Sequence, residues 1–253
     1  KCDKKLEGSL MNTISIEHGN VKMVAHRGAS VLEPENSCAS FLAAGNRSYF
    51  GIETDVHVTA DGKIVVMHDD NALRTTGTDM VLEQSDYDDI RGLRLLPRPG
   101  EPERADLVVP NLEEYIAICR RYEKKCVLEL KNPMPESAIV TIVETIRSLD
   151  YLENVIFISF ALENLQTIRK LLPGHPVQYL TGKQWLGREK ELLQVLVEEK
   201  MDLDAYWKFV TPEVVRLCHQ NGIAVNVWTV DEPEAARQLV EMGVDFITSN
   251  ILE

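Results

Sequence analysis

Eight short β-rich runs, nearly all separated by one helix-patterned segment, constrain this 253-residue chain more than any other feature. The strand-like runs fall at residues 21–25, 52–56, 126–131, 155–160, 177–180, 205–207, 223–228 and 245–248. Between them, apolar residues recur at helical spacing through residues 41–45, 112–119, 139–149, 162–172, 192–197, 214–218 and 235–240. Glycine after a last helical turn, followed by β-branched residues, marks where a helix stops and a strand starts, as at Gly222 and Gly243. Strands joined by single helices run parallel with right-handed crossovers, so eight of them predict a TIM (β/α)8 barrel. A doubly wound open sheet is the alternative, but the first βα turn has no GxGxxG. A barrel of this length needs one domain, residues 1–253. Almost no chain follows the last strand, so the eighth helix is missing or supplied by residues 1–20, a polar helix or extended lead-in.

The alternation fails once, after the second strand. Gly77, Gly92, Pro97, Pro99, Gly100 and Pro102 interrupt the stretch, and Arg91, Arg94, Arg98 and Arg104 alternate with acids. A connection this long inside a compact domain is a functional segment or an insertion. About residues 70–110 are therefore expected to form a small insertion covering one side of the barrel mouth.

Composition narrows the function classes. Twenty-seven basic against 40 acidic residues leave a formal charge of −13, which opposes attraction to nucleic acid or anionic lipid. No apolar run is long enough to span a bilayer, so no stable membrane insertion is expected. The five cysteines are scattered, and four sit in apolar or helical runs where a reduced buried thiol is the default. That favours a reducing, cytoplasmic location, with export left open. The chain begins at Lys1, consistent with removal of an upstream segment.

The chemistry concentrates around residues 51–70. Glu53 and Asp55 are two apart in a strand and so project to the same side. Asp61-Gly62 turns the chain back as a hairpin that ends on His68. Active sites of such barrels lie at the C-terminal strand ends. That edge is expected to gather His26 and Arg27, Glu53, Asp55 and His68, Glu129 and Lys131, Ser159 and Phe160, Tyr179 and Thr181, Tyr206 and Lys208, Trp228, and Ser249 and Asn250. Any one of these has a plain reading as a solvated charge or core group; three acids, two histidines, an arginine and a lysine on one edge do not. Oxygen-only ligands from Glu53, Asp55 and Glu129 suit a hard cation, Mg²⁺ or Ca²⁺. Arg27 and Lys131 beside it suit a phosphoryl oxyanion. His26 and His68 suit an acid/base pair across a scissile P–O bond. No P-loop points to nucleotide-driven transfer.

His26-Arg27-Gly28, Pro34-Glu35-Asn36-Ser37, Glu53-Thr54-Asp55-Val56, Asp61-Gly62 and His68-Asp69 resemble the glycerophosphodiester phosphodiesterases. Leu73-Arg74-Thr75-Thr76-Gly77, Pro110-Asn111-Leu112-Glu113-Glu114, Glu129-Leu130-Lys131 and Trp228-Thr229-Val230 extend the likeness over residues 22–250. The resemblance implies a TIM barrel with a small insertion, and hydrolysis of glycerophosphodiesters to glycerol 3-phosphate and an alcohol. It implies His26 and His68 as general acid and base, and Glu53, Asp55 and Glu129 as ligands of a divalent metal. It further implies phosphate contacts from Arg27 and Lys131 and a glycerol-side wall at Trp228. The family's closing strand commonly reads Thr-Asp-x-Pro, whereas this chain has Thr248-Ser249-Asn250-Ile251.

Two other functions remain to be weighed. Lysophospholipase D-type cleavage of lysolipids needs an apolar groove, for which Leu93, Leu95, Leu96, Leu107, Val108 and Val109 are the candidates. Their plain reading is packing of the insertion onto the barrel. A non-catalytic phosphate-binding protein is expected to have lost a histidine or a carboxylate, and none is missing.

Overall fold

A computed structural model describes residues 12–253. Its strands are β1 (Lys22–Ala25), β2 (Gly51–Val58), β3 (Ile64–Val66), β4 (Lys125–Leu130), β5 (Val155–Ser159), β6 (Val177–Thr181), β7 (Asp202–Tyr206), β8 (Val225–Trp228) and β9 (Phe246–Ser249). All but β3 run parallel, and β1 pairs with both β2 and β9, which closes the eight-stranded ring. β3 pairs antiparallel with β2 as the returning arm of the hairpin. The helices are α1 (Cys38–Gly45), α2 (Leu73–Thr76), α3 (Tyr87–Gly92), α4 (Leu112–Arg121), α5 (Glu136–Ser148), α6 (Leu162–Leu171), α7 (Glu189–Glu199), α8 (Pro212–Gln220) and α9 (Pro233–Met242).

Local chemistry sets these boundaries. Ser37 caps α1 and Asn111 caps α4, each in a reciprocal capping box, while Thr211 caps α8 with Pro212 next to it. Each strand then has two apolar faces, because the barrel buries both. Ile52, Val56, Leu128, Phe157 and Val225 pack outward in the main core with helix residues such as Tyr115, Ile142 and Leu165. Val24, Val127, Ile156, Ile158, Leu180 and Phe246 fill the barrel's interior below the mouth.

Residues 71–110 build a third cluster from Ala72, Leu82, Ile90, Leu95, Leu107 and Val109, packed on Val65 and Met67 of the hairpin's returning arm. Of the apolar residues weighed as a groove, Leu95, Leu107 and Val109 are buried there and Leu93 packs against it, leaving Leu96 exposed. The insertion uses Leu82, Leu95 and Leu107 to hold itself together. Its arginines reach out instead: Arg104 pairs with Glu33, Arg98 donates to the Val31 carbonyl, and Arg91 pairs with Glu114.

One expectation needs correction, and one alternative is decided in part. The sixth barrel strand is residues 202–206 and not 205–207, because Asp202 and Asp204, acids that strand propensity disfavours, lie inside it. Of the lead-in, residues 1–11, including Cys2, lie outside the described residues. Residues 12–20 carry no helix; Ile14 pairs in parallel with Leu252. The four described cysteines are free thiols, with Cys119, Cys126 and Cys218 buried. Among the described residues no helix is long and apolar enough to cross a membrane.

Candidate active site

β2 and β4 are neighbours, with Asp55 opposite Glu129 in the parallel ladder. The alternation that turns Thr54 outward turns Glu53 and Asp55 inward, toward Glu129. One carboxylate oxygen from each of Glu53, Asp55 and Glu129 lies within 4.8 Å of the others, and all three side chains are buried. Lys131, just past β4, places Nζ 2.7 Å from Glu129 Oε1 and 3.5 Å from Asp55 Oδ1.

The loop between β1 and α1 closes the other side. Arg27 has φ +55° and Asn36 φ +51°, a left-handed conformation that costs a non-glycine residue about 1–2 kcal/mol. Between them Gly28, at φ +79°, leaves no room for a Cβ against the Ser40 backbone. This tight path turns the Arg27 amide toward the acids, where it donates to Glu53 Oε2 at 2.8 Å. It also aims Asn36 Nδ2 at Asp55 Oδ2, 2.8 Å away. The Arg27 guanidinium stands 3.6 Å from Asp55.

The acids do not share their charge evenly. Burial pushes the Glu53 carboxyl well above its usual range, and the neighbouring Asp55 charge adds to the shift. Burial and Asp55 likewise push Glu129 up to about 8, against the pull of Lys131. Burial also acts on Asp55, but Lys131 and Arg27 outweigh it and hold that group below the usual carboxylate value. Asp55 Oδ1 is nevertheless buried without a hydrogen-bond partner. An acceptor set of three crowded carboxylates, one with an unmet oxygen and two holding protons only through burial and repulsion, fits a hard divalent cation.

Both histidines are held by one ring nitrogen. His26 Nδ1 lies 2.8 Å from Asn250 Oδ1, and Asn250 Nδ2 in turn donates to Asp231 at 2.7 Å. Since that amide oxygen only accepts, His26 carries its proton on Nδ1 and leaves Nε2 free. Burial, with Arg27 beside it, lowers its pKa to about 4. His68 Nδ1 lies 2.7 Å from Asp69 Oδ1, which likewise leaves its Nε2 free. Burial lowers the His68 pKa as well, partly offset by Asp55.

Across the barrel from the acids stands an aromatic wall. Trp228 packs edge-on against Phe160 at 5.7 Å between ring centroids and, tilted, against Tyr206 at 5.6 Å. The structure thus brings His26, Arg27, Glu53, Asp55, His68, Glu129, Lys131 and Trp228 to the C-terminal edge of the ring. It does not bring every strand-end residue there. Ser159 is buried and donates to the Leu130 carbonyl, and Tyr179 packs in the outer core. Thr181 is buried as well, adjacent to Leu180, which faces inward. Adjacent residues on a strand face opposite ways, so one of each such pair is lost to the mouth.

Sequence reasoning passed over several side chains. Asp204 is buried in the barrel, and burial and Glu129 hold its carboxyl well above the usual range. Its only advance signal was an acid between apolar strand residues. Asn250 had been noticed as a strand end, with no role. Glu35 and Arg74 stood inside quoted motifs, and their partners are far apart in the chain.

Solved structures with this barrel define the class, a TIM-barrel phosphodiesterase. The glycerophosphodiester phosphodiesterase of Parabacteroides distasonis is 28% identical, with a TM-score of 0.76 over 92% of this chain and 94% of its own. An Oleispira antarctica phosphodiesterase, solved in complex with the product sn-glycerol-3-phosphate, shares the fold at 24% identity and a TM-score of 0.80, over 91% and 93%. The glycerophosphoryl diester phosphodiesterase family model matches residues 26–252, and the chain belongs to that family. Its relatives include the glycerophosphodiester phosphodiesterases of Caldanaerobacter subterraneus subsp. tengcongensis and Bacillus subtilis. The former is 28% identical over 90% of this chain and 93% of its own length, the latter 29% over 90% and 82%. The protein is an enzyme, a phosphoric diester hydrolase acting on glycerophosphodiesters.

Proposed function

We propose that the substrate is a deacylated phospholipid, such as glycerophosphocholine or glycerophosphoethanolamine, cleaved to glycerol 3-phosphate and the head-group alcohol. The observation that carries this reading is the convergence of Glu53, Asp55 and Glu129 beside Arg27 and Lys131. Those three carboxylates would hold Mg²⁺ or Ca²⁺, which when bound supplies positive charge to the phosphoryl oxygens. Arg27 and Lys131 bind the phosphate's remaining negative charge. Trp228 lines the glycerol side. The sn-glycerol-3-phosphate bound as product by the Oleispira antarctica enzyme, which shares this fold, supports a glycerophosphodiester as substrate.

Proton transfer falls to the two free Nε2 atoms. His26, buried beside Arg27 and bonded to a neutral amide, stays unprotonated at neutral pH and takes the proton of the attacking oxygen. His68, backed by the Asp69 carboxylate, is better able to hold a proton and gives it to the leaving alcohol oxygen. The attacking oxygen is that of water: its bond to phosphorus forms as the bond from phosphorus to the alcohol oxygen breaks. Afterwards His26 gives its proton to solvent while His68 takes one back, which restores both.

Packing of Leu95, Leu107 and Val109 into the insertion's own core argues against an acyl-chain groove there. Glycerophosphocholine and lysophosphatidylcholine, assayed side by side with and without EDTA, test the reading. Glycerophosphocholine is expected to be hydrolysed much faster, with activity lost on chelation. A preference for the lysolipid, or full activity after exhaustive chelation, would overturn it.

A further inference from the structure

Arg74 belongs to α2 in the insertion, not to the barrel, and its side chain is half exposed. It nevertheless makes four charge-assisted hydrogen bonds. Nη1 and Nη2 donate to Glu35 Oε2 and Oε1 at 2.9 and 2.7 Å, while Nε and Nη2 donate to Asp69 Oδ2 and Oδ1 at 2.5 and 3.0 Å. Both carboxylates are shared. Glu35 Oε1 also accepts from Arg27 Nη1 at 2.8 Å, and Asp69 Oδ1 is the oxygen that meets His68 Nδ1 at 2.7 Å. An unbroken path runs His68–Asp69–Arg74–Glu35–Arg27, joining the end of the hairpin to the β1–α1 loop.

We infer that Arg74 is a positioning residue that sets the spacing between His68 and Arg27 across the mouth by clamping Asp69 and Glu35 together. This rests on the functional reading given above. The guanidinium is suited to the task because its planar fork serves two carboxylates at once, which a lysine's single ammonium does not. Without it, Glu35 and Asp69 face each other as like charges at the cleft edge, and each relaxes toward solvent with the group it holds. Arg27 keeps Asp55 as a second partner, so His68 takes most of the displacement. Partners of this kind, which orient a group acting on substrate, typically matter at the 10–100-fold level.

Five variants test it on glycerophosphocholine, each with its melting temperature: Arg74→Ala, His68→Ala, Asp69→Ala, the Asp69→Ala/Arg74→Ala double variant and Glu35→Gln. Arg74→Ala should lose about 10–100-fold in kcat with little change in melting temperature. Guanidinium chloride at millimolar concentration should restore a large part of that loss, since the vacated position opens to solvent. It should do nothing for His68→Ala. In an Asp69→Ala background, Arg74→Ala should cost little more, because the two act through one path. Should Arg74→Ala fail to fold, Glu35→Gln, which keeps the shape and removes one clamped charge, is expected to lose kcat in the same direction. If His68→Ala retains turnover, the functional reading itself fails. If His68→Ala is inactive while Arg74→Ala or Glu35→Gln keeps parental kcat, the clamp fails alone. Loss in Arg74→Ala that guanidinium does not restore, with a fall in melting temperature, would also overturn it in favour of a merely structural role.

Discussion

His68→Ala should turn over glycerophosphocholine at least about 10²-fold more slowly than the parent, because removing a general acid forfeits a factor of roughly 10²–10⁴. Among the described residues, neither of the other two histidines of the β1–β3 region replaces it. Among the described histidines, His57 is fully buried under the hairpin and spends its Nδ1 on Glu83 at 3.0 Å. His26 is held at Nδ1 by Asn250, and its free Nε2 is the one proposed to take the proton of the attacking oxygen. The substitution leaves Glu53, Asp55 and Glu129 in place, so any rise in melting temperature produced by Mg²⁺ or Ca²⁺ should survive it. Near-normal turnover would contradict the acid/base assignment. Loss of both turnover and the ion-induced rise would show that His68 does its work by supporting the acids.

The second large effect is on stability rather than rate. A glutamate whose pKa rises from the ordinary 4.5 to about 8 on folding favours the folded state at low pH, and that contribution fades as pH climbs to 8. Glu53 and Asp204 are shifted in the same direction. The lowered pKa values of His26 and His68 work oppositely, but only below their ordinary value of 6.5. Between pH 6.5 and about 8 the acids therefore act alone. Over that window the ion-free protein should lose up to about 1.4 kcal/mol per pH unit for each proton released, or roughly 3–5 °C of melting temperature. Millimolar Mg²⁺ or Ca²⁺ should flatten the slope, with a larger rise at pH 8 than at pH 6.5, since a cation takes the place of those protons. Glu129→Gln should shrink both the slope and the ion response. An unchanged ion response in that variant would remove Glu129 from the cation site; no response at any pH would remove the site.

How much of this was legible beforehand depends on whether a feature is periodic or long-range. The ring of strands was readable because β-branched runs and helix stops repeat along the chain, and Glu53 with Asp55 because two acids in a strand conflict with propensity. The same conflict hid Asp202 and Asp204, which made the start of β7 look like a loop. Ser159, Tyr179 and Thr181 were placed at the mouth by strand position alone, before the pleat decided their face. No local pattern announces that Asn250 meets His26 from 224 positions away, or that Arg74 bridges Glu35 and Asp69. The insertion's arginines read as alternating charge, and only the folded chain shows Arg104 and Arg98 holding the β1–α1 loop.

β3 has an unusual tenancy: Ile64 and Val66 belong to the barrel's core, whereas Val65 and Met67 belong to the insertion's. His68 follows directly, so the proposed proton donor is mounted on the seam between two apolar bodies of unequal size. The smaller body has less buried surface to lose and should loosen first on warming. Thermal inactivation of this enzyme would then begin as a misaligned histidine, with the ring of strands still whole.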